Sequence, residues 1–155
     1  MGTRAIEPGP TGLTVATNVA LYRGKRGLRL GGLSERMAEV GRPMSVSTLS
    51  AIENATRRTD VDDLVAIAAA LNVSPAALLM PQANEDEFGP VETTAQLIGP
   101  DDPRPDAGQL WDWLTCESPL DASLALAERD EIAIEMWRRD QAPAWDHRTR
   151  TVDRG

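Results

Sequence analysis

Few residues in this sequence have the types and spacing that chemistry needs. Cys116 and His147, its one cysteine and one histidine, are the only candidates for a nucleophile and its base, and no glycine-rich oxyanion or phosphate loop accompanies them. They cannot assemble a His/Cys zinc set, and one cysteine excludes an internal disulfide. Acid pairs such as Asp62 and Asp63, or Asp101 and Asp102, are adjacent residues on a helix start and a linker, where side chains are normally expected to face solvent. Catalysis is therefore not expected, and neither a metal nor a cofactor is. The run 44–58, MSVSTLSAIENATRR, suits a different chemistry. Val46, Leu49 and Ile52 recur every third position and give a helix one buried face. Ser47, Thr48, Ser50, Ala51 and Asn54 are left elsewhere, and Arg57 and Arg58 follow. Short hydroxyls can hydrogen-bond base edges, and guanidinium groups can neutralise phosphates.

Charge is distributed to match. The chain has 155 residues and a net charge of −8, which by itself argues against a polyanionic partner. Residues 1–80, however, hold nine Lys/Arg against seven Asp/Glu, a net +2, and residues 81–155 hold seven against seventeen, a net −10. Phosphate contact needs a basic face on the first half, with the acidic half turned away or serving another partner. No stretch approaches the roughly 18 consecutive apolar residues of a membrane span. The opening run MGTRAIEPGPTG lacks the apolar region of a secretory signal, so a reduced cytoplasm is the expected location.

Helices must hold the 44–58 run in place. Residues 1–12, with three glycines and two prolines, read as a flexible leader. From about Thr14, Val15, Val19 and Tyr22 fall at i, i+4 and i+7 of a first helix ending near Gly27. A second helix is expected over 30–40, with Leu33, Met37 and Val40 buried. Gly31 and Gly32 cost it roughly 1 kcal/mol each against alanine and fray its start. Gly41 suits a left-handed cap, Pro43 blocks continuation, and Ser45 caps the third helix. The fourth follows the Thr59-Asp60 cap through VDDLVAIAAAL. Its first-turn Asp62 and Asp63 favour the positive end of the helix dipole, and its buried stripe is Val61, Leu64, Ile67, Ala68 and Leu71. A fifth opens at Ser74 and Pro75, cap then proline, and continues through Leu78 and Leu79.

From Pro81 the composition changes. Residues 81–106 read as an acidic Pro/Gly-rich linker with one short ordered piece at 91–98. QLWDWLTCESPL brings Trp111 and Trp113 together. DASLALAERDEIAIEMWRRD reads as a longer helix capped by Asp121, with Glu128, Glu131, Glu135, Arg138 and Arg139 on one charged face. Glu135 and Arg139 are four apart in the favourable order. Leu126, Ile132, Ala133, Ile134, Met136 and Trp137 form a broad apolar face that needs covering. Residues 107–142 thus make a helical C-terminal region, and 143–155 a loose tail.

Helix, helix, tight turn, third helix and a closing pair: over 14–79 the order resembles the lambda-repressor and Cro-type helix-turn-helix family, also called the xenobiotic-response-element family. The resemblance rests on NVALYRGKRGL, LSERMAEVG, STLSAIENATRR and VDDLVAIAAALNVSPAALL, in that order and at near-family spacing. WDWLTCESPL is similar to the C-terminal extension of some bacterial members. The resemblance implies an all-α protein, with a five-helix DNA-binding domain over 13–80. It also places the opening of the third helix in the major groove of double-stranded DNA. Ser45, Val46, Ser47 and Thr48 would then read bases, with Ala51 one turn later, because the groove admits a helix and short side chains there reach base edges. None makes a bidentate contact, so phosphates should carry the affinity. The candidates are Arg29, Arg42, Asn54, Thr56, Arg57 and Arg58, aided by backbone N–H groups at the starts of helices two and three. Arg23 and Glu53 stand where the family pairs a partly buried arginine and glutamate, tying helix one to the end of helix three. Ala55 stands where a glycine usually supplies positive φ, so either alanine is strained there or the helix ends differently.

The expected function is a sequence-specific transcriptional repressor binding its operator as a homodimer. Trp111, Trp113, Ile132, Met136 and Trp137 are the dimer or partner surface, unless the tryptophans pack within their own small domain. The alternative is an antitoxin-like or adaptor protein whose acidic C-terminal half captures a protein partner.

Overall fold

The computed structural model describes residues 7–86, 89–93, 107–120 and 131–143. The chain divides into two compact units, Met1–Ala107 and Gly108–Gly155. In the first, α1 (Pro10–Lys25), α2 (Leu30–Glu39), α3 (Val46–Glu53), α4 (Val61–Leu71) and α5 (Pro75–Leu79) follow one another through short turns. α1 starts four residues before the expected Thr14. Pro10 occupies its first turn, where a missing N–H costs nothing and the fixed φ already fits a helix. Part of the expected leader is therefore helical, and residues 1–6 lie outside the described residues.

Side-chain caps begin three of the five helices. Ser45 accepts from Thr48 N, Asp60 from Asp63 N, and Ser74 from Ala76 N. At the other end, α2 closes with Gly41 at φ 82°, Gly41 N–H bonding Ala38 O and Arg42 N–H bonding Met37 O. This paired closure satisfies carbonyls that a helix end leaves open. The second helix begins at Leu30 despite its two glycines.

The core gathers Val15 and Val19 of α1, Leu33 and Met37 of α2, Leu49 and Ile52 of α3, Ile67 and Leu71 of α4, and Leu78 of α5. Three expected core residues lie outside it: Val40, Val46 and Val61 are all exposed. Val40 falls beyond the last turn of α2. A three-residue step turns a helix about 60° away from a fixed face, so a line through Leu49 and Ile52 leaves Val46 at its edge. α4 buries an arc from Asp63 through Ile67, Ala68, Ala70 and Leu71, and Val61 lies beside that arc. Asn18, fully buried on α1, donates to Leu78 O at 3.0 Å and Met80 O at 2.7 Å and accepts from Gln82 Nε2 at 2.8 Å. One amide thereby fastens the end of α5 and the chain leaving it to α1.

Residues 10–79 are all-α, as the sequence implied. The segment read as a linker adds one feature: β1 (Ala83–Asp86) and β2 (Gly89–Thr93) form an antiparallel ribbon. Ala83 faces Thr93 and Asn84 faces Glu92, then Glu85 faces Pro90, so the register shifts and Val91 has no opposite residue. Such a bulge accommodates a proline, which has no N–H for the ladder. Acids and a proline hid this ribbon from a periodicity reading. The ordered piece expected at 91–98 overlaps β2, and its residues 94–98 lie outside the described ones.

In the second unit, α6 runs over Ala107–Leu114, its first residue counted with the first unit, and α7 over Glu131–Gln141. Cys116 takes φ 62° just past α6, with its N–H on Trp113 O. Arg138 of α7 donates to Glu117 O at 2.7 Å, and Glu135 pairs with Arg139 at 2.9 Å. Asp121, Leu126 and Glu128 of the expected longer helix lie outside the described residues, as do 144–155 of the tail.

Candidate nucleic-acid interface

α3 presents its opening turn to solvent. Ser45 and Ser47 are exposed, Val46 is 47% exposed, and Thr48 and Ala51 are half-buried. Leu49 and Ile52 hold the helix from behind, with no solvent access. The hydroxyls are linked: Ser45 Oγ lies 2.8 Å from Ser47 Oγ and 3.0 Å from Thr48 Oγ1, besides accepting from Thr48 N. Ser45 is therefore a cap as well as a surface group. A base edge would exchange partners with this chain of hydroxyls rather than meet unbonded ones.

The phosphate candidates divide into two sets. Arg29 and Arg58 are exposed, and neither has an ion pair among the described residues. Arg29 stands at the N-cap position of α2, whose first N–H groups receive no side-chain cap, and a Cβ built on Gly31 would meet nothing within 4 Å. The start of α2 is thus an open set of donors at the positive end of a helix. The others already have partners. Asn54 Nδ2 donates back to Ser50 O at 2.8 Å, and Thr56 Oγ1 to Ala51 O at 3.2 Å. Arg42 Nε donates to Asp63 Oδ1 at 2.7 Å, and Arg57 Nη2 to Asp63 Oδ2 at 3.1 Å. Asp60 adds a weaker contact to Arg42 at 3.4 Å. The hydrogen bond to Asp63 raises the Arg42 pKa above its ordinary value, against desolvation, so the group stays charged.

Asp63 is the residue that sequence reasoning missed. An acid in a first turn has a ready explanation in the helix dipole, yet its side chain is 1% exposed. The signal was available: residues 63, 67, 70 and 71 fall at i, i+4, i+7 and i+8, on one helical face. A carboxylate on the buried face needs cationic partners.

Arg23 and Glu53 meet as a two-pronged pair, Nε to Oε1 at 2.6 Å and Nη2 to Oε2 at 2.8 Å, with Arg23 Nη1 on Leu28 O at 2.8 Å. The bond to Glu53 raises the Arg23 pKa against its partial burial. This pair joins α1 to the last residue of α3 and holds the helix without occupying its outer face.

Past α3 the chain closes through Ala55. Ala55 N–H bonds Ile52 O and Thr56 N–H bonds Ala51 O, the same paired closure as at Gly41, here with alanine at φ 54°. Of the surface expected on the second unit, Ile132 is 73% and Met136 67% exposed, Trp111 is exposed, and Trp113 and Trp137 are half-buried. Among the described residues no group of three or more His, Cys, Asp or Glu could hold a metal, and no helix is long and apolar enough to cross a membrane.

Residues 20–78 match a family model described as helix-turn-helix, a span from the middle of α1 to the last turn of α5. No curated protein and no solved structure matches the chain. The matched span contains α2, the turn that closes on Gly41, and the outward-facing α3 whose geometry is set out above. The chain thus carries, over residues 20–78, a helix-turn-helix domain, which supports a DNA-binding regulator of transcription.

Proposed function

We propose that this chain is a repressor that occupies a two-fold-symmetric operator as a homodimer, with the first turn of α3 in the major groove. The exposure of that turn carries the reading: Ser45, Val46 and Ser47 are open to solvent on a helix anchored from behind. Serine and threonine read bases permissively, and Val46 offers a methyl contact to thymine. Affinity then rests on phosphates, held by Arg29, Arg58 and the uncapped first turn of α2. Asn54, Thr56, Arg42 and Arg57 serve first as the frame around α3, through the contacts they already make.

One such module offers little contact, and specific affinities of about 10⁻⁸ M or better generally require more, hence two copies. The exposed Ile132 and Met136 supply the face through which copies meet. Repression on this reading is occupancy alone, in the cytoplasm, with no covalent step and no cofactor.

Duplexes selected from a random library by the full chain test this directly. The selected site is expected to be a palindrome whose binding weakens steeply with salt. Arg58→Ala should reduce the slope of log K against log salt by about 1, the contribution of roughly one phosphate contact. Failure to enrich any sequence, or binding indifferent to salt, would overturn the proposal.

A further inference from the structure

Two arginines flank the recognition helix, and one buried carboxylate holds both. Arg42 lies in the turn entering α3 and Arg57 in the segment leaving it, while Asp63 belongs to α4. Asp63 Oδ1 accepts from Arg42 at 2.7 Å, its Oδ2 accepts from Arg57 at 3.1 Å, and its side chain is 1% exposed. The carboxylate therefore ties together the segment entering α3 and the segment leaving it, one through each oxygen. Asp60 orients it from behind by accepting from the Asp63 N–H at 2.7 Å, and it shares Arg42 at 3.4 Å. Asp62 lies 4.0 Å from Arg42 as well. Two cations thus face three carboxylates in a group that would otherwise present a +2 charge beside the helix.

We propose that Asp63 is a specificity-determining positioning residue: it clamps both approaches to α3 and withholds Arg42 and Arg57 from phosphates. This inference rests on the DNA-binding reading above. A phosphate contact is blind to sequence, so every cation released beside the helix strengthens binding to all duplexes alike. Clamping the same two cations lowers that general attraction and fixes the angle at which Ser45 to Thr48 meet the groove. Both effects raise the ratio of operator to random-sequence affinity. Arg58 has no such partner among the described residues and remains the contrasting case.

Asp63→Asn is nearly isosteric and tests the clamp in the full chain. The amide can still accept from Arg42, but its NH2 faces the Arg57 donor and releases it. On random duplex the salt slope is expected to steepen by about 1, with affinity at low salt several-fold higher. The operator-to-random ratio should fall by about 10-fold or more. A purely structural role would weaken both DNAs together and leave the slope alone. Arg57→Gln gives a second reading that does not depend on a substituted core: it should leave the slope on random duplex unchanged, whereas Arg58→Gln lowers it. Arg57→Gln flattening the slope as much as Arg58→Gln would overturn the clamp, as would an Asp63→Asn chain with unchanged slope and ratio. Absence of any salt-dependent binding by the unsubstituted chain would instead remove the DNA-binding reading, and this role with it.

Discussion

Ala55 holds φ 54°, where a Cβ crowds the backbone carbonyl that follows. The equivalent position is Gly27 after α1, Gly41 after α2 and Asn72 after α4, residues that tolerate this conformation. The strain persists because Thr56 and Arg57 N–H groups both bond Ala51 O, fixing the exit from α3. Ala55→Gly is expected to stabilise the domain by about 0.5–1 kcal/mol, the relief of left-handed strain less the extra entropy of an unfolded glycine. Urea unfolding should show a higher midpoint with an unchanged slope. Of the residues around α3, Ala55 could be anticipated because a family pattern marks its position. Asp63 is legible only through the face it shares with Ile67, Ala70 and Leu71, because burial of a charged side chain depends on which face of α4 meets its neighbours. A sequence run alone does not announce that Arg42 and Arg57 share one partner, since the three residues come from three separate segments.

Between elements, the lever that sets α3 is the pair of Arg23 and Glu53. It spans 30 residues of sequence and joins the end of α3 to α1 through two short bonds. Glu53→Gln keeps the shape, removes the charge and replaces one of the two acceptors with an NH2 donor facing Arg23, which retains the Leu28 carbonyl and one amide oxygen. A fully buried pair broken in this way costs about 3–5 kcal/mol; the partial exposure here brings the expected loss to about 2 kcal/mol. Operator affinity should fall with it, while the salt slope stays put, because neither side chain touches a phosphate. Fluorescence anisotropy across a salt series, alongside thermal unfolding, separates the two effects. The helix boundaries were legible for a simple reason: Ser45, Asp60, Ser74 and Gly41 are caps, and caps act locally. α1 starts earlier than expected because Pro10 fits a helix's first turn, a role that the surrounding glycines obscure. The β-ribbon was not legible, since its pairing of 83–86 with 89–93 is a relation between segments with no alternating apolar pattern.

At the scale of the whole molecule, the charge division acquires a physical purpose. A net −10 over 81–155 opposes collapse of that half onto a polyanion such as the DNA proposed for the first half. Within the acidic half, Ile132 and Met136 lie four apart on α7, exposed at 73% and 67%, with Glu131 and Glu135 beside them. Two apolar side chains one turn apart, rimmed by charge, are how a helix presents a face to a partner helix. If that partner is the same face of a second copy, Ile132→Glu with Met136→Glu places four new carboxylates in one interface and should convert a dimer to a monomer in sedimentation. Thermal unfolding of residues 10–79 should be unaffected, because neither residue belongs to its core. Operator binding should lose far more than half-site binding, since the second module would no longer be tethered to the first. A chain that sediments as a monomer before substitution, or a dimer that survives it, would transfer the face to a different protein and leave α3 to bind as a single unit.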